Sequence, residues 1–141
     1  MYIEALKFAN DKHKGQKRAN GESYIVHPIE VSLKFLPMRA NWETRIVALL
    51  HDVIEDTKTT ESELVEMFGY KIGWQVGILT RESKLESYEE YINRIKKYGP
   101  ETVRKVKIAD LKHNLSTIDN IPDLDKRKRL KERYEKALTV L

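Results

Sequence analysis

Four residues able to bind a metal ion or move a proton fall close together in the segment "LLHDVIEDT" (49–57): His51, Asp52, Glu55 and Asp56. Residues three and four apart share one face of a helix, so these side chains form one contiguous patch. Like charges this close destabilise a helix unless they are compensated, and a bound cation is the simplest compensation. The alternative interpretation is a frayed, exposed helix end whose carboxylates are simply solvated.

A fifth candidate is Asp110, which lies among apolar residues in the segment "VKIADLKHNLST" (106–117). A carboxylate with such neighbours is costly to bury unless it is paired or binds a metal ion. Lys107 and Asn114 flank Asp110 on its own helical face, so a salt bridge from Lys107 is one alternative to metal binding. A second alternative, a helix N-cap, fits poorly because the helical pattern continues through Asp110.

The sixth candidate is His27, which directly precedes Pro28. We expect Pro28 to lie in the first turn of a helix and His27 just outside that helix, because proline disfavours helical geometry at the preceding residue. A lone histidine is usually a surface or core residue, but a backbone biased by proline beside a tyrosine-bearing loop makes a better ligand candidate. Together with His51, Asp52 and Asp110, His27 would give two imidazoles and two carboxylates. Such a set suits Mn²⁺, Fe²⁺ or Zn²⁺.

The elements that must position these residues are predicted to be helices. Apolar residues recur at helical spacing along nearly the whole chain, and no segment shows sustained strand alternation. We therefore predict one all-α domain, residues 1–141, built as a bundle of about seven or eight helices. The third helix is predicted to begin after the N-cap Asn41 and to continue through "WETRIVALLHDVI". Two further starts are marked by capping-box candidates, Thr60 with Glu63 and Ser87 with Glu90.

Composition limits the function further. The chain has 141 residues, 40% of them hydrophobic and 34% charged, which is typical of a globular domain. No window approaches the roughly 20 apolar residues of a membrane span, and the N-terminal segment lacks the apolar region of a secretory signal, so we expect a cytoplasmic protein. The absence of cysteine excludes disulfides and thiolate metal sites.

The net charge is +4, with basic runs at 12–18 and 125–133. The second run is interpreted as a solvated helix face. A basic surface near an acidic metal cluster would suit a polyanion such as a nucleotide. Nonspecific nucleic-acid binding through residues 125–133 is a weaker alternative, which we expect to be negligible at physiological salt.

The ordered motifs resemble a known family. The adjacent His51-Asp52 pair, with a histidine upstream and an aspartate downstream, is similar to the HD phosphohydrolase superfamily. More specifically, "GESYIVHPIEV", "ALLHDVIEDT" and "VKIADLKHNLST" occur in the order and with the spacing of the hydrolase domain of the RelA/SpoT homologue family. "ALKFANDKHKGQKR" and "FGYKIGWQVGILT" also fit, so the resemblance covers most of residues 1–117.

The resemblance implies an all-α HD domain that binds one Mn²⁺ through the residues matching His27, His51, Asp52 and Asp110. It implies removal of the 3′ pyrophosphate from guanosine tetra- or pentaphosphate, with Glu55 and Asp56 orienting or activating the attacking water. The positions that match nucleotide contacts are Arg18, Tyr24, Asn114 and Thr117. Lys107, on the same face as Asp110, is counted with these candidate substrate-binding residues. Because no synthetase segment follows residue 141, the stand-alone small alarmone hydrolases are the expected type.

Some positions depart from the family pattern: Ala19, Leu111 and Ser116 stand where basic residues are common, and Ser23 replaces a common proline. We therefore expect cationic contacts to the nucleotide to be missing. An HD phosphohydrolase acting on another nucleotide (a nucleoside phosphate, a dinucleotide or a cyclic nucleotide) is the first alternative. A nucleotide-binding module with vestigial catalysis is the second, although the intact Glu55-Asp56 pair argues against it. The tyrosine-rich helices could also support a homodimer, and no membrane partner is expected.

Overall fold

Helices form nearly all of the regular backbone in a computed structural model that describes residues 1–141. In chain order they are α1 (Tyr2–Lys12), α2 (Val26–Glu30) with a π-helical turn that continues it (Val31–Phe35), α3 (Trp42–Leu50), α4 (Val53–Asp56), α5 (Glu61–Phe68), α6 (Tyr70–Leu79), α7 (Tyr88–Tyr98), α8 (Glu101–Ser116), a 3₁₀ turn (Ile118–Asn120) and α9 (Leu124–Val140). There is no β-strand, only one isolated bridge between Lys17 and Ser23. The all-α prediction is confirmed.

The predicted third helix is interrupted at its most polar point. It ends at Leu50 and resumes as α4 at Val53, so α3 and α4 together are the one helix that the sequence predicted. At Asp52 the backbone turns to φ −104° and ψ −3°. Adjacent side chains of a regular helix point about 100° apart. Because of the break, His51 Nε2 and Asp52 Oδ2 instead approach to 3.0 Å.

The prediction that His27 lies outside a helix is wrong. Helix α2 begins at Val26, so His27 is its second residue and Pro28 its third. Proline is tolerated there because the first turn of a helix has no intrahelical acceptors for its N–H groups. His27 is thereby held on a helix, with a side chain only 1% exposed.

Helix α8 occupies the centre of the molecule and packs against α2 and its π-helical turn, α3, α6, α7 and α9. The 24 buried apolar side chains around it form one cluster. Since α8 is surrounded, Asp110 at its middle is carried inward and is only 4% exposed. None of the helices combines the length and apolar character that a membrane span requires.

The helix starts follow the sequence closely. Asn41 caps α3 by accepting a hydrogen bond from the Thr44 N–H. Ser87 and Glu90 form the predicted capping box of α7. Thr60 caps α5, but the return bond of that box is missing, and the Glu63 carboxylate instead pairs with Lys12 at 3.2 Å. These caps fix the starts of α3, α5 and α7.

Candidate active site

Two histidines and two aspartates meet in the interior, contributed by α2, by the break between α3 and α4, and by α8. One donor atom from each lies within 4.8 Å of all the others, and we call this group the ligand cluster: His27, His51, Asp52 and Asp110. His27 Nε2 and His51 Nε2 lie 2.9 and 3.3 Å from Asp110 Oδ1. The structure thus brings together all four residues that the sequence singled out as metal ligands.

Both imidazoles are oriented by a hydrogen bond on the nitrogen that faces away from the cluster. His51 Nδ1 donates to the Ala48 carbonyl at 2.6 Å, so Nε2 is the nitrogen that faces the carboxylates and that would bind a metal ion. His27 Nδ1 lies 2.6 Å from His113 Nδ1, and His113 Nε2 lies 2.9 Å from Glu30 Oε2. His27 is therefore oriented through a chain that runs from Glu30 through His113.

The pKa of His113 indicates which groups donate in this chain. Burial and the charges of His27 and Arg18 lower the pKa of His113 to about 4. Its ring is therefore neutral near pH 7, so that Nδ1 accepts from His27 while Nε2–H donates to Glu30.

The Asp110 carboxylate is paired on both oxygens. Lys107 Nζ lies 2.8 Å from Oδ2, and Asn114 Nδ2 donates to Oδ1 at 3.2 Å. The salt bridge considered as an alternative therefore exists beside the cluster rather than in place of it. Burial alone would raise the pKa of Asp110, but the charges of Lys107 and His51 hold it well below its usual value.

The pKa values of Asp52 and His51 are shifted in opposite directions. Burial alone would raise the pKa of Asp52, but the charge and hydrogen bond of His51 hold it below its usual value. Burial alone would lower the pKa of His51, and the charges of Asp52 and Asp110 instead hold it well above. The Tyr24 hydroxyl also donates to Asp52. Two ionised carboxylates with two imidazole nitrogens match the ligand chemistry of a divalent metal ion, so these residues fit such a group.

Glu55 and Asp56 lie beside the cluster without joining it. They border a cavity of about 220 Å³ that also contains Asp52 and Asp110, and we call it the acidic cavity. Glu55 Oε1 accepts from the Arg81 backbone N–H at 2.8 Å. Loss of water around these two carboxylates, together with the nearby charge of Asp52, raises the pKa of both.

Asp56 is held from α1 and the loop that follows it. Gln16 Nε2 donates to Asp56 Oδ2 at 3.1 Å, while Gln16 Oε1 accepts from His13 Nδ1 at 2.8 Å. Since an amide oxygen only accepts, His13 fixes which end of the Gln16 amide faces the carboxylate.

A second cavity, of about 320 Å³, adjoins the first and is called the Arg18 cavity. Four of the predicted substrate-binding residues border it: Arg18, Tyr24, Asn114 and Thr117. Arg18 Nη2 donates to Thr117 Oγ1 at 2.9 Å and to Asn114 Oδ1 at 3.3 Å. The two cavities share Tyr24, Asn114 and Tyr134. The remaining candidate, Lys107, borders the acidic cavity.

The expectation of three missing cationic contacts needs correction. Leu111 is fully buried in the apolar core, so it does not face either cavity. Ser116 is exposed, borders neither cavity, and donates to the His113 carbonyl at 2.6 Å. Ser23 likewise borders neither of them. Of the departures, only Ala19 lines the Arg18 cavity.

Sequence reasoning missed two arginines that border the acidic cavity, Arg81 and Arg133. Arg133 was interpreted as part of a solvated basic face. A signal was available: Arg133 lies three residues after Leu130 and four before the buried Ala137, on the apolar stripe of α9. Arg81 follows α6 in an irregular segment and has no comparable signal.

The chain matches the family described as HD domain over residues 5–137. It is 37% identical over 131 residues to the guanosine-3′,5′-bis(diphosphate) 3′-pyrophosphohydrolase of Aquifex aeolicus, which spans 89% of this chain and 19% of that protein. It is 34% identical over 135 residues to the bifunctional (p)ppGpp synthase/hydrolase SpoT of Escherichia coli, which spans 90% of this chain and 19% of that protein. The chain thus spans about a fifth of the length of these curated relatives.

A solved structure shares the fold over nearly the whole of this chain. It is that of a metazoan ortholog of SpoT, described as hydrolysing ppGpp and playing a role in starvation responses. The TM-score is 0.89 at 25% identity, with 99% of this chain and 84% of that chain covered.

Proposed function

Because the chain belongs to the HD domain family, as its ordered motifs predicted, we propose that it is a metal-dependent 3′-pyrophosphohydrolase of guanosine tetra- or pentaphosphate. The relatives described as acting on ppGpp support this substrate. Mn²⁺ is the proposed ion, with Fe²⁺ or Zn²⁺ also compatible with two imidazoles and two carboxylates.

One observation carries the proposal: Asp52 and Asp110 of the ligand cluster line the same cavity as two carboxylates that are not part of the cluster, Glu55 and Asp56. A divalent ion held by the cluster would polarise a phosphoryl oxygen and acidify water. Glu55 and Asp56 line the same cavity, are fixed by hydrogen bonds from Arg81 and Gln16, and have raised pKa values. Such groups suit a role in accepting a proton from attacking water.

The remaining candidates divide between the two cavities. Arg18, Asn114 and Thr117 form a hydrogen-bonded group at the Arg18 cavity, where the nucleoside would bind. Tyr24 borders both cavities and donates to Asp52, so it would position that ligand beside the nucleotide. Lys107 would act through Asp110, because its ammonium group is already bound to that carboxylate.

In the proposed reaction, water attacks the phosphorus attached to the ribose 3′ oxygen of ppGpp. The bond between that phosphorus and the 3′ oxygen breaks, the 3′ oxygen takes a proton, and pyrophosphate and GDP are the products. The test is to incubate the purified protein with Mn²⁺ and ppGpp and to identify both products. Absence of turnover by folded, metal-loaded protein, or release of inorganic phosphate instead, would contradict the proposal.

Ala19 supports a second candidate, hydrolysis of another nucleotide by the same metal site. It puts a methyl group on the wall of the Arg18 cavity, where basic residues are common in the resembling family. A screen of nucleoside phosphates, dinucleotides and cyclic nucleotides with Mn²⁺ would separate the candidates by which bond is cut.

The cytoplasmic location and the homodimer stay predictions. The homodimer is predicted from the tyrosine-rich helices, and Tyr98 at the end of α7 is 68% exposed. Sedimentation of the purified chain at several concentrations would test it.

A further inference from the structure

Three cations surround one tyrosine ring at the edge of the acidic cavity. The guanidinium carbon of Arg133 lies 4.7 Å from the centre of the Tyr88 ring, and that of Arg81 lies 5.7 Å from it. Lys107 Nζ lies 5.9 Å from the same ring. All four residues border the cavity that contains Asp52. Positive charge is thus concentrated at the edge of the cavity that the carboxylates also line.

These cations differ in whether they already have an acidic partner. Lys107 is neutralised locally by Asp110, at 2.8 Å. Arg81 and Arg133 form no ion pair, in a chain where Arg94 does pair with Glu86 at 2.8 Å. Arg81 Nε is buried and has no hydrogen-bond partner. At this cavity edge the buried Arg81 donor without a partner and the unpaired charge of Arg133 indicate an anionic ligand, because a buried donor is costly to leave unsatisfied.

The position of the arginines indicates which part of a nucleotide they would bind. The Arg18 cavity and the acidic cavity meet at Tyr24, Asn114 and Tyr134. A nucleoside in the Arg18 cavity would place its cleaved phosphate at the ligand cluster. Groups beyond that phosphate would then extend into the acidic cavity, towards Arg81 and Arg133.

We propose that Arg81 and Arg133 form a phosphate clamp that binds the 3′-diphosphate of the substrate, the group that is released as pyrophosphate. This inference rests on the proposed function, since it takes the scissile phosphate to lie at the ligand cluster. The planar fork of each guanidinium can donate two parallel hydrogen bonds to phosphate oxygens. The clamp supplies positive charge from α9 and from the segment after α6.

Arg81 would have two roles in the clamp, one through its backbone and one through its side chain. Its backbone N–H holds Glu55 at 2.8 Å, while its side chain borders the same cavity. One residue therefore fixes both a carboxylate proposed to handle water and a contact to the leaving group. Binding of a diphosphate and orientation of Glu55 are coupled through that residue.

The first experiment measures binding of inorganic pyrophosphate by calorimetry to the Mn²⁺-loaded chain and to its Arg133→Gln and Arg81→Gln variants. Loss of one charge-assisted contact should raise the dissociation constant for pyrophosphate roughly 10- to 100-fold. Arg133→Lys should give an intermediate value, because it keeps the charge but loses the fork. The matched control is Lys128→Gln, the same charge change at an exposed position of α9, which should bind like the parent chain.

Metal titration and thermal unfolding of each variant establish that fold and ligand cluster are intact. Equal pyrophosphate affinity in the parent chain and in both folded arginine variants would overturn the clamp. A loss as large in Lys128→Gln would also overturn it, since the effect would then be one of net charge. These binding results do not depend on which nucleotide is hydrolysed, so they stand apart from the test of the proposed function.

The second experiment determines which diphosphate is held. Turnover is compared for ppGpp and for guanosine 3′-diphosphate that lacks the 5′ phosphates. If the clamp binds the 3′ group, Arg133→Gln should lower kcat/KM by about the same factor on both substrates. A penalty that disappears when the 5′ phosphates are removed would show that the arginines bind the other end, and the assignment would be wrong.

Discussion

The four carboxylates of the acidic cavity form two pairs with opposite behaviour. Asp52 and Asp110 are largely buried, yet their pKa values are held below the usual range by His51 and Lys107. Glu55 and Asp56 are more exposed, yet their pKa values are raised. The difference lies in their direct contacts: His51 and Lys107 lie against the first pair, whereas the second pair accepts hydrogen bonds from neutral donors, the Arg81 backbone N–H and the Gln16 amide.

Opposite pKa shifts of this kind suit the two pairs to different roles. A carboxylate that stays ionised is suited to hold a cation, and one with a raised pKa is suited to exchange a proton. Neighbouring acids along one short segment, Asp52 and Glu55, thus acquire different proposed roles from their surroundings. Variants that change one of these carboxylates, or one of the residues that contact it, test whether the two pairs have different roles.

The largest effect is expected from Asp110→Asn. The amide keeps the shape of the side chain but removes a negative charge that two imidazoles and Lys107 face. Mn²⁺ affinity should fall by more than about 100-fold and turnover should be lost with it. Metal titration of the variant, with the exposed Asp119→Asn as control, measures this. If Asp110→Asn kept its full affinity, Asp110 would not belong to the ligand cluster.

The next effect is expected from Glu55→Gln, which changes the second pair only. Metal affinity should stay within about twofold, because Glu55 is not part of the ligand cluster. Turnover should fall roughly 10²- to 10⁴-fold, the range for loss of a general base. The exposed Glu66→Gln on α5 is the matched control for kcat and for Mn²⁺ titration. If Glu55→Gln lowered Mn²⁺ affinity and turnover by similar factors, Glu55 would belong with the metal ligands, and the two pairs would not have different roles.

The sequence predicted this division only in part. The all-α fold, the helix caps and the residues of both pairs could be recognised, because helical periodicity and local spacing carry them. The interruption at His51 and Asp52 could not be recognised, because apolar residues at helical spacing continue on both sides of these two residues. The contact of Arg133 with the acidic cavity and that of Glu30 with His113 were also missed, because each joins residues far apart in the sequence.

A smaller effect is expected from His113→Phe, which keeps an aromatic ring but removes the acceptor for His27 Nδ1–H. His27 would lose the hydrogen bond that directs its Nε2 to the cluster, so Mn²⁺ affinity should fall about 10- to 100-fold. Glu30→Gln should cost much less, because its amide oxygen can still accept from His113 Nε2. Calorimetric Mn²⁺ titration of both variants checks this order. Equal losses in the two would contradict the orientation chain.

The smallest effect is expected from Gln16→Met, which leaves both pairs of acids in place and removes one neutral donor. Burial and Asp52 raise the pKa of Asp56, whereas Gln16, His13 and His51 lower it, so loss of Gln16 should raise it further. A base acts only when ionised, so a higher pKa lowers the ionised fraction at a given pH. The acid limb of the kcat profile should therefore move to higher pH, with a loss of a few-fold that is recovered as the pH rises. A uniform loss at every pH would instead indicate that Gln16 holds the position of Asp56 and not its ionisation.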